Sequence, residues 1–470
     1  MQQLSIEEIN QLFAAQKAYK PYVKKTTIDE RIQWLQKLKK IILSKEEAIK
    51  SALYQDFRKN PRESETTEIL ASMLEINLFI KNLKKWSKPK PVKSSLLFAS
   101  TKAKLLYEPK GNTLIITPWN YPFQLPIVHL MASVAAGNTA IVKLSEFTPH
   151  INRVIEEIIT EVFEKKHVAV IQGEVEETTH LLSLKFDHIH FTGSPAVGKV
   201  IMEAASKHLT SITLELGGKS PAFIDKSADL QETAKNIIWA KFTNMGQTCI
   251  APDYLLVDHS VSGAFEQILK DEIIQAFGSK VQDNTDLARI INTKQYDRLI
   301  RSLDNLEQTP TEWIFRGENN KENLFIHPTV IKNMPLEGDI MQEEIFGPIL
   351  PVVYYQHVEE ALDLVAQKEK PLALYIFSKE DNYKKKVLQG TSAGGTTIND
   401  AMIHIIHPNL PFGGVNNSGI GQSLGIFGFK AFSHERAVLE AKYFPMSKFF
   451  WYPYSDKTKK MLTIFRKFFG

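Results

Sequence analysis

Between Gly111 and Leu216 the chain alternates short apolar, β-branched runs with longer stretches of helical spacing. Residues 113–116 precede a helical 125–136, 139–143 precede 152–163, 167–171 precede 178–182, and 188–192 precede 197–208. Residues 212–216 close the series. Strands linked by helical crossovers of this length run parallel and bury both faces of their sheet, so the pattern predicts an α/β fold. Ligands of such sheets sit outside the carboxyl ends of the strands. That rule singles out 117–120, 143–146 and 193–198.

The first 86 residues read as helical. Ser5 with Glu8, Thr27 with Glu30 and Ser44 with Glu47 each have the spacing of a capping box. Ile28, Ile32, Leu35, Leu38 and Ile42 recur at helical intervals, Asn60-Pro61 interrupts the pattern, and a further helix runs to about Trp86. After a joint at Pro89 and Pro91, residues 95–99 and 103–107 are expected to pair as a hairpin that leaves the main body. A second α/β stretch begins after Pro221 and runs to about Pro411, with interior strands at 254–257, 349–354 and 374–377. A glycine-rich segment spans 412–428.

The 57 basic and 53 acidic residues leave a net charge of +4, spread along the sequence, which does not call for nucleic acid. One cysteine in 470 residues excludes an intramolecular disulfide. MQQLSIEEINQLF lacks a long apolar core, and no apolar run reaches the roughly 18 to 20 residues of a membrane span. The cytoplasm is the expected compartment.

That cysteine, Cys249, stands in FTNMGQTCIAPDY. Leu230, Ala234, Ile237, Ile238 and Phe242 form an apolar stripe before it, with Asp229 and Glu232 as capping partners, and a strand follows. Cys249 is thus expected on a helix-to-strand loop, as a reactive thiol or as a small buried apolar residue. Gly193, Ser194 and Gly198 lie where a helix N-terminus would meet a phosphate, or form a packing turn. Lys143 and Glu146 leave the second strand, as ligands of phosphate and ribose or as a solvated pair. Ile212, Leu214 and Leu216 share one strand face, so Glu215 lies on the other, beside Gly217-Gly218. It is a candidate general base or an exposed strand residue. Asn120 in TPWNYPF is a candidate oxyanion donor or a turn asparagine. The pairs His188/His190 and His404/His407 lack a third ligand at recognisable spacing, so they read as structural or surface residues and no metal is expected.

Six motifs occur together: PWNYPF (118–123), FTGSPAVG (191–198), LELGGKSP (214–221), FTNMGQTC (242–249), EEIFGP (343–348) and PFGGVNNSGIG (411–421). In order and approximate spacing they resemble the NAD(P)-dependent aldehyde dehydrogenase superfamily over almost the whole chain. The short N-terminal segment, CIAPDY, FSHER (432–436) and YPYSDK (452–457) are similar to its class 3 branch, which acts on fatty and aromatic aldehydes.

The resemblance implies a Rossmann-like cofactor domain (1–88 and 108–212), a catalytic domain (213–411), bridging segments for oligomerisation (89–107 and 412–441) and a tail (442–470). It implies Cys249 as nucleophile, Glu215 as general base, and Asn120 with the Cys249 amide as oxyanion hole. NAD or NADP would be held by Thr117, Pro118, Trp119, Lys143, Glu146, Gly193, Ser194, Gly198, Leu216, Gly217, Glu344 and Phe346. Pro195 replaces the commoner threonine, and Asn416 stands where glycine is frequent. The expected reaction oxidises an aldehyde to the carboxylic acid through a thiohemiacetal and a thioester, in a homodimer. The alternatives are a CoA-acylating enzyme, which has less need of Glu215, and a catalytically silent binding protein on the same fold. In the tail, Met461, Leu462, Phe465, Phe468 and Phe469 share a helical face beside Lys459, Lys460, Arg466 and Lys467. That pattern suits packing over the substrate entrance or on a second subunit, or peripheral contact with an anionic membrane.

Overall fold

A computed structural model describes residues 4–95, 98–443 and 445–469. The capping boxes of Ser5 with Glu8 and Thr27 with Glu30 form, starting helices Ile6–Lys24 and Ile28–Ser44. The third does not. Ser44 still belongs to its helix and donates to the Ile41 carbonyl, while Lys45 alone separates it from helix Glu46–Phe57. Asn60-Pro61 both breaks and restarts the chain: Arg58 turns left-handed, Asn60 caps Arg62 and Pro61 opens the next helix, a position where its missing N–H costs nothing.

The hairpin differs from the sequence expectation. β1 is Lys90–Val92, pairing with β2 (Thr101–Pro109) so that Val92 opposes Ala103. Pro91 is tolerated because β1 is an edge strand. Residues 95 and 98–99 are not strand, and Leu96 and Leu97 lie outside the described residues.

The alternating region forms a six-stranded sheet in the order β15-β7-β6-β3-β4-β5. β3 (Asn112–Ile116), β4 (Thr139–Lys143), β5 (Val168–Ile171), β6 (His188–Gly193) and β7 (Ser211–Leu216) are parallel, and β15 (Gly419–Ile420) adds antiparallel to β7. Helix Gln124–Ala136 is buried on every side, as expected for a helix enclosed by the sheet and its neighbours.

The second sheet has seven strands, ordered β10-β11-β12-β9-β8-β13-β14. They are β8 (Pro221–Ile224), β9 (Tyr254–Asp258), β10 (Glu312–Phe315), β11 (Thr329–Lys332), β12 (Ile349–Tyr355), β13 (Ala373–Phe377) and β14 (Gly395–Ile398), parallel except for β10 against β11. β16 (Ser433–Ala441) returns to pair with β2 along its whole length. The fold is α/β as expected. Asn416, where glycine is frequent, has φ 56°, a left-handed conformation that asparagine tolerates better than most residues. The tail helix Asp456–Phe469 leaves Leu462 and Ile464 exposed. The side chains of Phe468 and Phe469, and Gly470, lie outside the described residues. No described helix is long and apolar enough to cross a membrane.

Candidate active site

Strand register carries the expected residues to one edge. Ile116 pairs with Lys143, Thr192 with Glu215 and Gly193 with Leu216, so Thr117–Asn120, Lys143, Gly193–Ser194 and Glu215–Gly217 all emerge at the carboxyl ends of parallel strands.

The cysteine loop is built by an unusual backbone. Helix Leu230–Phe242, capped by Asp229, ends at Phe242, and Asn244, Met245 and Gly246 then take φ of 54°, 54° and 73°. Such conformations are disfavoured for residues with a Cβ and persist only where surroundings hold them. Here the Asn244 amide donates to Glu63 at 2.9 Å, and its side chain donates to the Asn120 carbonyl at 2.8 Å. A side chain on Gly246 would strike the Gly347 carbonyl, so this loop and the EEIFGP loop meet backbone to backbone.

Asn120 is buried, and its side-chain nitrogen donates to the Gln247 carbonyl at 3.1 Å. Tyr121 and Thr248 share a hydroxyl hydrogen bond at 2.7 Å. The PWNYPF loop is therefore bonded to both residues that precede Cys249. It is anchored from behind by Glu68, which accepts from the Phe123 and Gln124 amides at 3.1 and 2.8 Å and pairs with buried Lys59 at 2.9 Å. Gln247, Asn244, Tyr121 and Lys59 were not singled out from the sequence; nothing in their local pattern distinguishes them.

Cys249 is partly exposed. Burial pushes its thiol well above the ordinary range, and the charges of Glu344 and Glu215 push it further, against smaller opposing bonds from the Cys249 and Ile250 amides.

Glu215 is buried, not exposed, because both faces of the sheet are covered. Its carboxylate accepts from the Thr192 hydroxyl at 3.1 Å and from Ser423. Burial pushes its pKa up, but His129, His190 and Ser423 outweigh this and hold it at about 2. Both histidines are buried. His190 was expected to be structural or superficial; it is buried, and its ring stacks on His129 beside Glu215. His129, a histidine inside an otherwise apolar helical run, carried a signal in the sequence, since a buried polar group demands a partner. The donor atoms of His129, His190 and Glu215 lie within 4.8 Å of one another.

Toward the cofactor side, Trp119 meets Phe346 edge-on at 5.4 Å, with Phe346 at φ 47°. The Phe346 loop is held by the Lys219–Asp253 pair, by the Ile345 amide donating to Asp253 at 3.0 Å, and by Arg298 donating to the Ile345 carbonyl at 2.6 Å. Burial and the Asp253 charge raise half-buried Glu344 to about 8. Lys143 lies 3.4 Å from exposed Glu146. Ser194 caps helix Pro195–Ser206, with Pro195 at its first turn. These residues fit a dinucleotide. The Thr117 hydroxyl is buried without a partner among the described residues, and a side chain on Gly217 would run into the Glu344 carboxylate, leaving room only for bare backbone there.

The aldehyde dehydrogenase family model matches residues 1–438. A 4,4'-diaponeurosporen-aldehyde dehydrogenase of Staphylococcus aureus is 42% identical over 431 residues, covering 92% of this chain and 93% of its own. A mouse dimeric NADP-preferring aldehyde dehydrogenase is 41% identical, covering 87% of this chain and 89% of its own. The solved substrate-bound state of Staphylococcus aureus AldH superposes with a TM-score of 0.93 at 41% identity, covering 97% and 99% of the two chains.

Proposed function

The chain belongs to the aldehyde dehydrogenase family, and we propose that Cys249, Glu215 and Asn120 carry its reaction on a medium- to long-chain or aromatic aldehyde. The reaction is oxidation of the aldehyde with NAD or NADP. The observation that carries the residue assignment is the Asn120 side chain bonded to the carbonyl of Gln247, two residues before the only cysteine.

In this reading Cys249 gives up its proton to solvent and its sulfur adds to the aldehyde carbon. The carbonyl oxygen gains charge as it does so, and Asn120 and the Cys249 amide stabilise that oxygen. When bound, NAD(P)+ supplies the acceptor for the hydride that leaves the carbon. Thr117, Lys143, Glu146, Ser194 and Glu344, with the turns at Gly193, Gly198 and Leu216–Gly217, hold the cofactor, and Pro118, Trp119 and Phe346 line its nicotinamide end. The thioester left on Cys249 is attacked by water. Glu215 takes the water proton, the carbon–sulfur bond breaks, and the acid leaves. The buried Glu215 carboxylate, held as the anion, supports hydrolysis over transfer to CoA.

A long apolar substrate is supported by the relative named for diaponeurosporen-aldehyde. The test follows reduced-cofactor absorbance for aldehydes of increasing chain length with each cofactor, and identifies acid or acyl-CoA as product. Cys249→Ala should lose turnover while retaining cofactor binding; an active Cys249→Ala enzyme sinks the assignment. A homodimer is supported by the name of the mouse relative, and sedimentation velocity tests it. The apolar face of the tail helix is read as packing on protein, over the substrate entrance or on a second subunit. Co-sedimentation of full-length protein, but not of residues 1–446, with anionic liposomes would favour a membrane instead.

A further inference from the structure

Beneath the loops that carry Asn120 and Cys249 lies a lysine that the reaction as derived does not use. Lys59 sits in the turn between helices Glu46–Phe57 and Pro61–Ser64, and its side chain and that of Glu68 have no exposed surface. Its Nζ is 2.9 Å from Glu68 Oε1, 4.0 Å from Glu63 Oε1 and 4.2 Å from the centre of the Tyr121 ring. An ammonium this buried requires partners of that kind.

Both carboxylates reach it because of the backbone between them. Residues Glu65–Leu70 wind as a π-helix, whose hydrogen bonds span five residues instead of four. In an α-helix, residues five apart would point about 140° away from one another. The wider turn brings Glu63 and Glu68 round to the same cation. Such turns are rare inside helices and recur at functional sites.

Each partner of Lys59 leads on to the site by its own route. Glu68 Oε2 accepts from the Phe123 and Gln124 amides at 3.1 and 2.8 Å, which fixes the end of the Asn120 loop. Glu63 accepts from the Asn244 amide at 2.9 Å, in the left-handed stretch before Cys249. The Asn244 side chain then donates to the Asn120 carbonyl at 2.8 Å and to the Gln247 carbonyl at 3.2 Å. The Tyr121 hydroxyl shares its hydrogen bond with Thr248, the residue next to Cys249. Apolar residues of equal volume often stabilise a core as well as a buried ion pair does. Stability alone is thus a weak reason for Lys59, and a common anchor for two loops is a stronger one.

We propose that Lys59 is a positioning residue: by holding Glu68, Glu63 and the Tyr121 ring at once, it sets where the Asn120 side chain stands relative to Cys249. The proposal rests on the reading of Asn120 as oxyanion donor and Cys249 as nucleophile. Lys59 bonds to neither and acts only through the loops. Placement matters at this scale, since a displacement of about 1 Å costs on the order of a hundredfold in rate.

The test is a double-mutant cycle read by the pre-steady-state rate of reduced-cofactor formation at saturating aldehyde and cofactor. Lys59→Met, which removes the charge and keeps a long side chain, should lower that rate roughly tenfold to a hundredfold. In an Asn120→Ala background the same substitution should cost less than about threefold, because no donor is left to misplace. A purely structural role would lower the rate by the same factor in both backgrounds, and that result overturns the proposal. So does a Lys59→Met enzyme that reacts at the wild-type rate. If Lys59→Met does not fold, Lys59→Met combined with Glu68→Gln replaces it in the cycle and decides by the same comparison. That pair removes the carboxylate left unbalanced and keeps an oxygen for the Phe123 and Gln124 amides. Asn120→Ala at the wild-type rate would instead sink the reading of Asn120, so the two failures are distinguishable.

Discussion

The Asn120 side-chain amide donates to the Gln247 carbonyl at 3.1 Å, joining the loop after β3 to the loop that carries Cys249. One bond thus ties the proposed oxyanion donor to the loop of the proposed nucleophile, from elements 127 residues apart in sequence. In the proposed reaction the same residue would have two tasks, holding the loop and polarising the substrate.

Asn120→Ala separates them. Loss of the oxyanion donor should lower kcat about a hundredfold, or on the order of 3 kcal/mol. Loss of the loop bond should cost only about 1 kcal/mol of stability. Steady-state kinetics and urea denaturation check both; a stability loss with kcat unchanged would leave Asn120 a purely structural residue.

The raised pKa of Cys249 has a chemical signature. With one cysteine in the chain, iodoacetamide labelling reports this thiol alone. Without cofactor, its rate at neutral pH should be below that of an ordinary thiol, and it should still be rising at about pH 10, beyond the usual cysteine pKa of about 8.5. Glu344 is the largest charge acting on it once ionised, above about pH 8, so Glu344→Gln should speed labelling on the alkaline side of that value and leave it little changed at neutral pH. A labelling rate that levels off below the usual cysteine pKa contradicts the assignment.

Glu63 predicts a stability change whose sign depends on pH. Burial raises its carboxyl from 4.5 to about 7, against the opposing charge of Lys59 and the Asn244 amide. A folded-state pKa raised in an acid means the protonated form is favoured by folding. Stability from this group is therefore present below about pH 4.5 and lost as pH rises toward 7. Glu63→Gln keeps an oxygen for the Asn244 amide and should be more stable than wild type at pH 8, by on the order of 1–3 kcal/mol, and equal to it at pH 5. Thermal melts at the two pH values check it; a variant less stable at both would show that the Lys59 contact outweighs burial.

Much of the fold was legible because strand and helix periods differ. All five strands expected between residues 113 and 216 formed within two residues of their expected ends, and two of three capping boxes closed. β8, β10, β11 and β14 were not recognised. Each has only four residues, too few to show a period, and Pro221 opens β8 where proline usually argues against a strand. The hairpin was misplaced for a similar reason, since Pro91 looked like a joint and proved to be an edge-strand residue. In the site, residues at strand ends were readable from the topology rule, whereas Gln247, Tyr121 and Ser423 act through contacts made only on folding. Alternation placed Glu215 on the face opposite Ile212 and Leu214, but alternation alone does not tell whether a helix covers that face. His129 and the glycine-rich segment do cover it.

The proposed reaction depends on a covalent intermediate, and Glu215→Gln is the variant that isolates it. Mixed with aldehyde and NAD or NADP, this enzyme should form one reduced cofactor per active site and then stop. Intact-protein mass should rise by the acyl group, and digestion should locate the adduct at Cys249. Sustained wild-type turnover, or a burst with the adduct on any residue other than Cys249, would contradict it.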